Sequence, residues 1–344
     1  MRIALVGAGI FAKETYVPLI EANKGSGVRL TACLSRSAGS VEDTISLVAS
    51  EEERGAILRY SGAEGEDKFF AEARQVCDAV IVVVPIHLLG KYVERCLSLG
   101  LHILSEKPVA HCSEDARRLI SLYRSLPSTA QGRYWHVAEN YRLEPAVAYA
   151  RGLVQSRPIP PKAFALTCVR QQSATSKYAV TEWRSKPLYK GSYVLDGGIH
   201  FIALLRTVLG GGEVKDVRGN YEEKSVVEVG ALGSCRVGDT LGTYIIRYGA
   251  FPAVVCRLDV YWDDATLSIT QHKAVCTYDV SFSEAGKEEA EGVRKTFAFA
   301  GLQEEFSLWL DTMADGAGEA EILSPEEALK DLLVVEAMVG HSSA

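Results

Sequence analysis

The chain has 344 residues, 47% hydrophobic and 24% charged, with a formal net charge of −7. That length exceeds an ordinary single core, so two domains are expected. The acidic balance excludes the basic footprint that nucleic-acid binding needs, and no apolar run approaches the roughly 18 residues that span a bilayer. Eight cysteines are scattered without a Cys-x-x-Cys pair, which points to small core residues and to no metal site or disulfide framework.

Arg2–Val6 reads as a short buried strand, and Gly7-Ala8-Gly9-Ile10-Phe11-Ala12 follows at once, opening a helix over residues 15–22. This is a dinucleotide fingerprint with alanine in its third slot. Gly7 allows the tight turn, Gly9 lets a pyrophosphate approach the backbone, and small Ala12 lets helix and strand pack closely. Met1 runs straight into that strand, leaving no room for a leader peptide, so a cytoplasmic protein is expected.

Residues 28–34 alternate into a second strand that ends at Ser35-Arg36-Ser37. An acidic residue at that place selects a ribose 2′-hydroxyl, whereas an arginine accommodates a 2′-phosphate. With Arg36 present and no carboxylate, NADP(H) is expected over NAD(H). Residues 41–58 are predicted as a helix, 62–65 as a turn and 69–75 as a further helix. The β-branched run at 79–85 reads as a strand buried on both faces. An amphipathic helix over 88–99 stops at Gly100, and a strand over 102–105 leads to Glu106-Lys107-Pro108. Lys107 therefore stands just past a carboxyl strand end, where open parallel sheets bind ligands. A helix over 113–123 and a strand over 134–139 complete the first domain, set at residues 1–135.

The remainder, residues 136–344, reads differently. Strands are predicted at 162–169, 214–220, 240–248, 253–260, 265–270 and 274–281, and helices at 192–209, 302–313 and 325–338. Successive strands without intervening helices imply an antiparallel sheet. Asp196-Gly197-Gly198-Ile199-His200 places a carboxylate and an imidazole four residues apart. On a helix they share one face, so the acid could orient the imidazole for proton transfer. The other histidines have no convergent partners in sequence and are read as structural or solvent-facing.

In order and spacing the fingerprint, Glu106-Lys107-Pro108, Glu139-Asn140-Tyr141-Arg142, Gly191 to His200 with Arg206, and Ser324-Pro325-Glu326-Glu327-Ala328 span nearly the whole chain. Together they resemble the glucose-fructose oxidoreductase, inositol dehydrogenase and rhizopine catabolism family, Gfo/Idh/MocA. The resemblance implies an α/β Rossmann domain followed by an α+β domain on a large, mostly antiparallel, open-faced sheet, often used to pair subunits into homodimers or homotetramers. It also implies NAD(P)-dependent redox chemistry at a carbinol carbon of a sugar, polyol or cyclic diol, with Lys107, Asp196 and His200 as the catalytic groups. One departure is Pro85-Ile86-His87-Leu88-Leu89, where many members carry Pro-Asn-x-x-His.

Expected cofactor contacts are Gly7, Gly9, Ile10, Phe11, Ala12, Ser35, Arg36, Ser37, Pro85, Glu106 and Lys107. For the substrate they are Tyr141, Arg142, Trp183, Arg184 and Tyr189, because aromatic walls with guanidinium donors suit a hydroxylated ring or a carboxylate. His200 would exchange the proton with Asp196 orienting it, while Lys107 stabilises charge on the same oxygen; the two roles could be exchanged. Two other functions fit the same fold, a cofactor-sensing regulatory protein without turnover and a transient-redox glycosidase.

Overall fold

A computed structural model describes residues 1–126, 134–285, 293–314 and 319–340. Its contacts divide the chain into two compact units, Met1–Ala138 with Glu305–Leu329 and Glu139–Glu304 with Lys330–Ala344. The division expected after residue 135 lies after Ala138, and the second segment is not contiguous. Phe306 and Trp309, from a late helix, join Ile3, Leu5, Tyr16 and Ile20 in the core of the first unit, which draws that stretch of chain back.

The first unit is built on β1 (Arg2–Val6), β2 (Arg29–Ser35), β3 (Leu58–Ser61), β4 (Ala79–Val82), β5 (His102–Glu106) and β6 (Trp135–Ala138). All pair in parallel, in the order β3-β2-β1-β4-β5-β6. Strand order reverses at β1, which has β2 on one side and β4 on the other, and such a switch point opens a ligand crevice at the carboxyl ends. The crossover helices are α1 (Val17–Ala22), α2 (Ala38–Ile45), α3 (Glu51–Ala56), α4 (Gly62–Val76), α5 (Ile86–Ser98) and α6 (Ser113–Ser125).

Two predicted elements differ. The helix expected over 41–58 is two short helices, because Ser50 caps a fresh start by accepting a hydrogen bond from Glu53 N at 3.3 Å. After it, Leu58–Ser61 is a strand that the sequence hides: as an edge strand it buries only Tyr60 fully and leaves Leu58 43% exposed, so no β-like apolar pattern is needed. The turn expected at 62–65 is the first turn of α4, with Gly62 at φ +69° making the corner.

In the second unit α7 (Pro145–Ser156), α8 (Glu182–Ser185) and α9 (Ile199–Val208) accompany eight strands. These are β7 (Ala163–Gln171), β8 (Val214–Ser225), β9 (Glu228–Val237), β10 (Thr240–Gly249), β11 (Val255–Tyr261), β12 (Ala265–His272), β13 (Thr277–Glu284) and β14 (Val293–Ala298). Their order is β14-β13-β12-β11-β7-β10-β9-β8, with β7 and β10 parallel and the other pairs antiparallel. The sequence did not announce α7, glycine-rich β9 or half-polar β14. α10 (Gly301–Ala314) and α11 (Pro325–Gly340) end the described chain.

Side chains alternate across this sheet as the pleat requires. On β10, Tyr244 and Ile246 are buried, whereas Leu241 and Ile245 are 49% and 39% exposed. α7 packs on β12, β13 and β14 and against α9, covering one face. The opposite face carries the exposed Leu232, Leu241, Ile245, Val255 and Tyr261. Among the described residues no helix is long and apolar enough to cross a membrane.

Candidate functional site

The carboxyl end of β1 has the geometry its glycines foretold. Gly7 sits at φ +106°, and a Cβ there would lie 2.0 Å from the Val83 carbonyl oxygen, so no other residue fits. Its N–H donates to Leu34 O at 2.8 Å, tying the turn to β2. A Cβ on exposed Gly9 would meet nothing within 4 Å. The backbone there is open to a pyrophosphate at the start of a helix, which is the fit a dinucleotide requires. Buried Ala12 begins a π-type turn over Ala12–Tyr16, and half-buried Ile10 precedes it. Phe11, expected at the cofactor, is half-buried and packs its ring edge-on to Tyr16 at 5.7 Å and against the core.

Ser35 ends β2, exposed Arg36 follows, and Ser37 caps α2 by accepting from Ser40 N at 3.2 Å. Pro85 stands at the N-cap of α5. Beside it burial, and then the positive charges of Arg36 and His111, lower the pKa of His87. Glu106 closes β5 and accepts a 2.7 Å hydrogen bond from Tyr16 Oη. Burial first, then the charges of Glu106 and Glu305, drive that phenol far above its ordinary range. Glu106 thus acts as a strut from the strand end to the fingerprint helix, a role sequence reasoning did not give it. Lys107 follows at once, at the carboxyl edge of the sheet.

The second unit assembles around His200, the second residue of α9. Its Nδ1 pairs at 2.7 Å with Oε1 of Glu139, which is 1% exposed. Against an ionised carboxylate, which only accepts, Nδ1 is the donor, and in the neutral ring Nε2 then carries no hydrogen. Tyr141 stacks on the imidazole, centroids 4.6 Å apart and planes 16° off parallel, and fixes its plane. The same Glu139 oxygen accepts from Tyr141 N at 3.2 Å.

This corrects the expectation for Asp196. Its Oδ2 accepts from Arg184 Nε at 2.7 Å, and the carboxylate on the imidazole Nδ1 is Glu139. The same-face rule assumes α-helix, but Val194–Gly198 is a π-type turn with a different angular step. A Cβ on Gly197 would strike Tyr248 Oη at 2.5 Å and one on Gly198 would press on Ile246 at 3.1 Å, so the glycines serve contact with β10.

Arg142 is a second correction. It is 3% exposed and pairs with Asp331, whose Oδ1 also accepts from Arg206 Nη1 at 2.5 Å. A guanidinium so enclosed serves packing and not a substrate, and its carboxylate partner lies 189 residues away in sequence. The triad clamps the turn Asn140–Leu143, and with it Glu139 and Tyr141, to the helix that carries His200. Trp183, Arg184 and Tyr189 do come together. The Arg184 guanidinium lies 3.9 Å over Trp183, which is 6.3 Å from Tyr189.

Of the other histidines, His136 is buried and accepts from Ala320 N at 3.3 Å, with burial and then His102 holding its pKa down to about 4. His272 pairs with Asp279 at 3.2 Å, and His341 lies outside the described residues. The eight cysteines are free, six of them buried. Among the described residues no group of three or more His, Cys, Asp or Glu is arranged for a metal ion.

A family model described as an oxidoreductase family with an NAD-binding Rossmann fold matches residues 1–132. Dehydrogenase FPY6 of Fusarium mangiferae is 30% identical over 352 residues, covering 99% of this chain and 96% of that protein. An NADP-linked D-xylose 1-dehydrogenase of Haloarcula marismortui is 24% identical, over 85% of this chain and 81% of its own. Among solved structures, an oxidoreductase from Thermotoga maritima superposes with a TM-score of 0.79 at 22% identity, covering 98% of this chain and 95% of its own.

Proposed function

Since this chain belongs to the Gfo/Idh/MocA family of NAD(P)-dependent oxidoreductases, we propose that it moves a hydride between NADP(H) and a carbinol or carbonyl carbon of a sugar, polyol or cyclic diol. The observation that carries the reading is the Glu139–His200–Tyr141 stack, an oriented imidazole with one nitrogen held by a buried carboxylate. The xylose dehydrogenase among the relatives supports the substrate class and the choice of NADP.

Gly7, Gly9 and Ile10 would hold the pyrophosphate, and Ser35, Arg36 and Ser37 the ribose with its 2′-phosphate. When bound, the nicotinamide supplies the hydride acceptor or donor. His200 exchanges the substrate hydroxyl proton at Nε2, while Glu139 holds the Nδ1–H tautomer and offsets charge as the ring protonates. Tyr141 keeps the ring plane fixed. Asp196 orients Arg184 on the aromatic wall of Trp183 and Tyr189. Lys107 stabilises negative charge developing on the reacting oxygen. The open face of the eight-stranded sheet is proposed to pair subunits into a homodimer or homotetramer, burying Leu241 and Ile245.

The test follows the near-ultraviolet absorbance of reduced nicotinamide with NADP⁺ and a panel of aldoses, inositols, aromatic diols, aldonates and uronates, beside Lys107→Met. Reduction is expected with at least one member and should fall roughly 10²- to 10⁴-fold in the variant. Tight NADPH binding with no turnover of any member in either direction would overturn the reading and favour a sensor.

A further inference from the structure

The buried arginines of the second unit differ in one respect. Arg142 and Arg206 share Asp331, and even the half-buried Arg184 and Arg157 have carboxylates, Asp196 for the first and Asp264 with Glu284 for the second. Arg170, 8% exposed at the end of β7, has no carboxylate among its described partners. Its Nη2 donates to Gln271 Oε1 and lies 3.5 Å from Tyr141 Oη, both neutral, and its guanidinium lies 5.2 Å from the Phe201 ring centre. Its Nη1 is buried without a hydrogen-bond partner.

A guanidinium withdrawn from water without a counter-charge is costly, and so is each N–H left unmade. Lys273 adds to the imbalance. It stands exposed on the turn after β12, and loss of water and repulsion from Arg170 lower its pKa. Lys273 follows Gln271, the acceptor of Arg170, by two residues, so a second cation stands close to the first. Through Tyr141, which stacks on His200, Arg170 is joined to the imidazole.

We propose that Arg170 and Lys273 form the subsite for an anionic group of the substrate, a carboxylate on a polyhydroxylated carbon chain. This sharpens the preceding section's reading and rests on it. An incoming carboxylate would offset the excess positive charge and take the unused Nη1–H, while its carbinol carbon stands toward His200. Neutral sugars would leave that N–H unpaired, which is how a site built for a polar group rejects an analogue lacking it.

Thermal unfolding of the full chain at matched ionic strength, in chloride, sodium gluconate, inorganic phosphate or chloride with neutral glucitol, tests the subsite apart from turnover. Gluconate should raise the wild-type Tm in a saturable way, as any ligand of the native state does, and glucitol should not. Arg170→Met should lose the response while melting no lower than wild type in chloride, since an uncompensated buried charge is gone. Lys273→Ala, at an exposed position, should need roughly tenfold more gluconate for the same shift, the loss of one charge-assisted contact. An equal response in wild type and both variants, or none to gluconate in wild type, overturns the proposal. A response to phosphate alone also does so, by assigning the subsite to a phosphate ester. In the absorbance assay, oxidation of neutral polyols but not of aldonates or uronates would sink the anionic subsite and leave the redox function standing. Arg170-dependent gluconate binding without turnover of any substrate would do the reverse.

Discussion

The first unit makes its candidate site from backbone and the second makes its own from side chains. At the end of β1 the features that matter are a positive φ at Gly7, open space at Gly9 and the N–H groups of a helix start. Around His200 they are partnerships between residues far apart in sequence, Glu139 with His200 across 61 residues and Arg142 with Asp331 across 189. A backbone site is local, so its chemistry is written in consecutive residues. A side-chain site depends on which elements the core brings together and on the buried ion pairs that hold those elements there.

Substitutions at the two places should therefore fail in different ways. The largest effect is expected at Gly7. Gly7→Val forces a Cβ onto the Val83 carbonyl at an unfavourable φ, and the folded chain should show no nucleotide-induced rise in Tm and should lose roughly 3 kcal/mol or more to steric strain. A variant that still binds NADPH like wild type would break the backbone account. Asp331→Asn leaves Arg142 and Arg206 facing a neutral group at a site 1% exposed; urea unfolding should show a loss of roughly 3–5 kcal/mol, the usual cost of breaking a buried pair. The matching prediction is that NADPH, held by the other unit, still binds.

His136 sharpens the comparison through pH. Buried in the first unit, it is held neutral with a pKa near 4 against an ordinary 6.5. The native state then binds fewer protons than the unfolded chain between those values. This contribution is complete above about pH 6.5 and is lost as pH falls toward about 4. His136→Phe should flatten that acid limb by roughly 3 kcal/mol, seen as a smaller pH dependence of the urea midpoint. An unchanged limb would show that other groups carry the acid sensitivity. The smallest effect belongs to exposed Arg36: Arg36→Ala should weaken NADPH about tenfold, the loss of one charge-assisted contact, and leave NADH unchanged in parallel titrations. Equal loss for both nucleotides would remove Arg36 from cofactor choice.

The same contrast explains what was legible in the sequence. The fingerprint, the buried run of β4 and the strand end at Lys107 followed from local pattern, because a parallel sheet buried on both faces is written as β-branched runs. Edge strands β3 and β14 escaped because partial exposure removes that pattern. In the site, His200 was visible as a residue but its partner was not. The spacing to Asp196 suggested one face of a helix, and the π-type turn at Gly197-Gly198 broke that inference. Glu139 carried a weak signal, an acidic residue just past the last strand of the first unit, with nothing local to assign it to an imidazole. Arg142 read as a substrate donor for the same reason: its carboxylate comes from the last helix.

The most direct test of the side-chain account is the ¹⁵N spectrum of His200 in selectively labelled protein at neutral pH, with Glu139→Gln and Asp196→Asn as comparisons. If Glu139 holds the imidazole, wild type and Asp196→Asn show hydrogen on Nδ1 and a bare Nε2, and Glu139→Gln shows a mixture of the two tautomers. A wild-type ring carrying its hydrogen on Nε2, or a spectrum that changes with Asp196 and not with Glu139, would contradict the account.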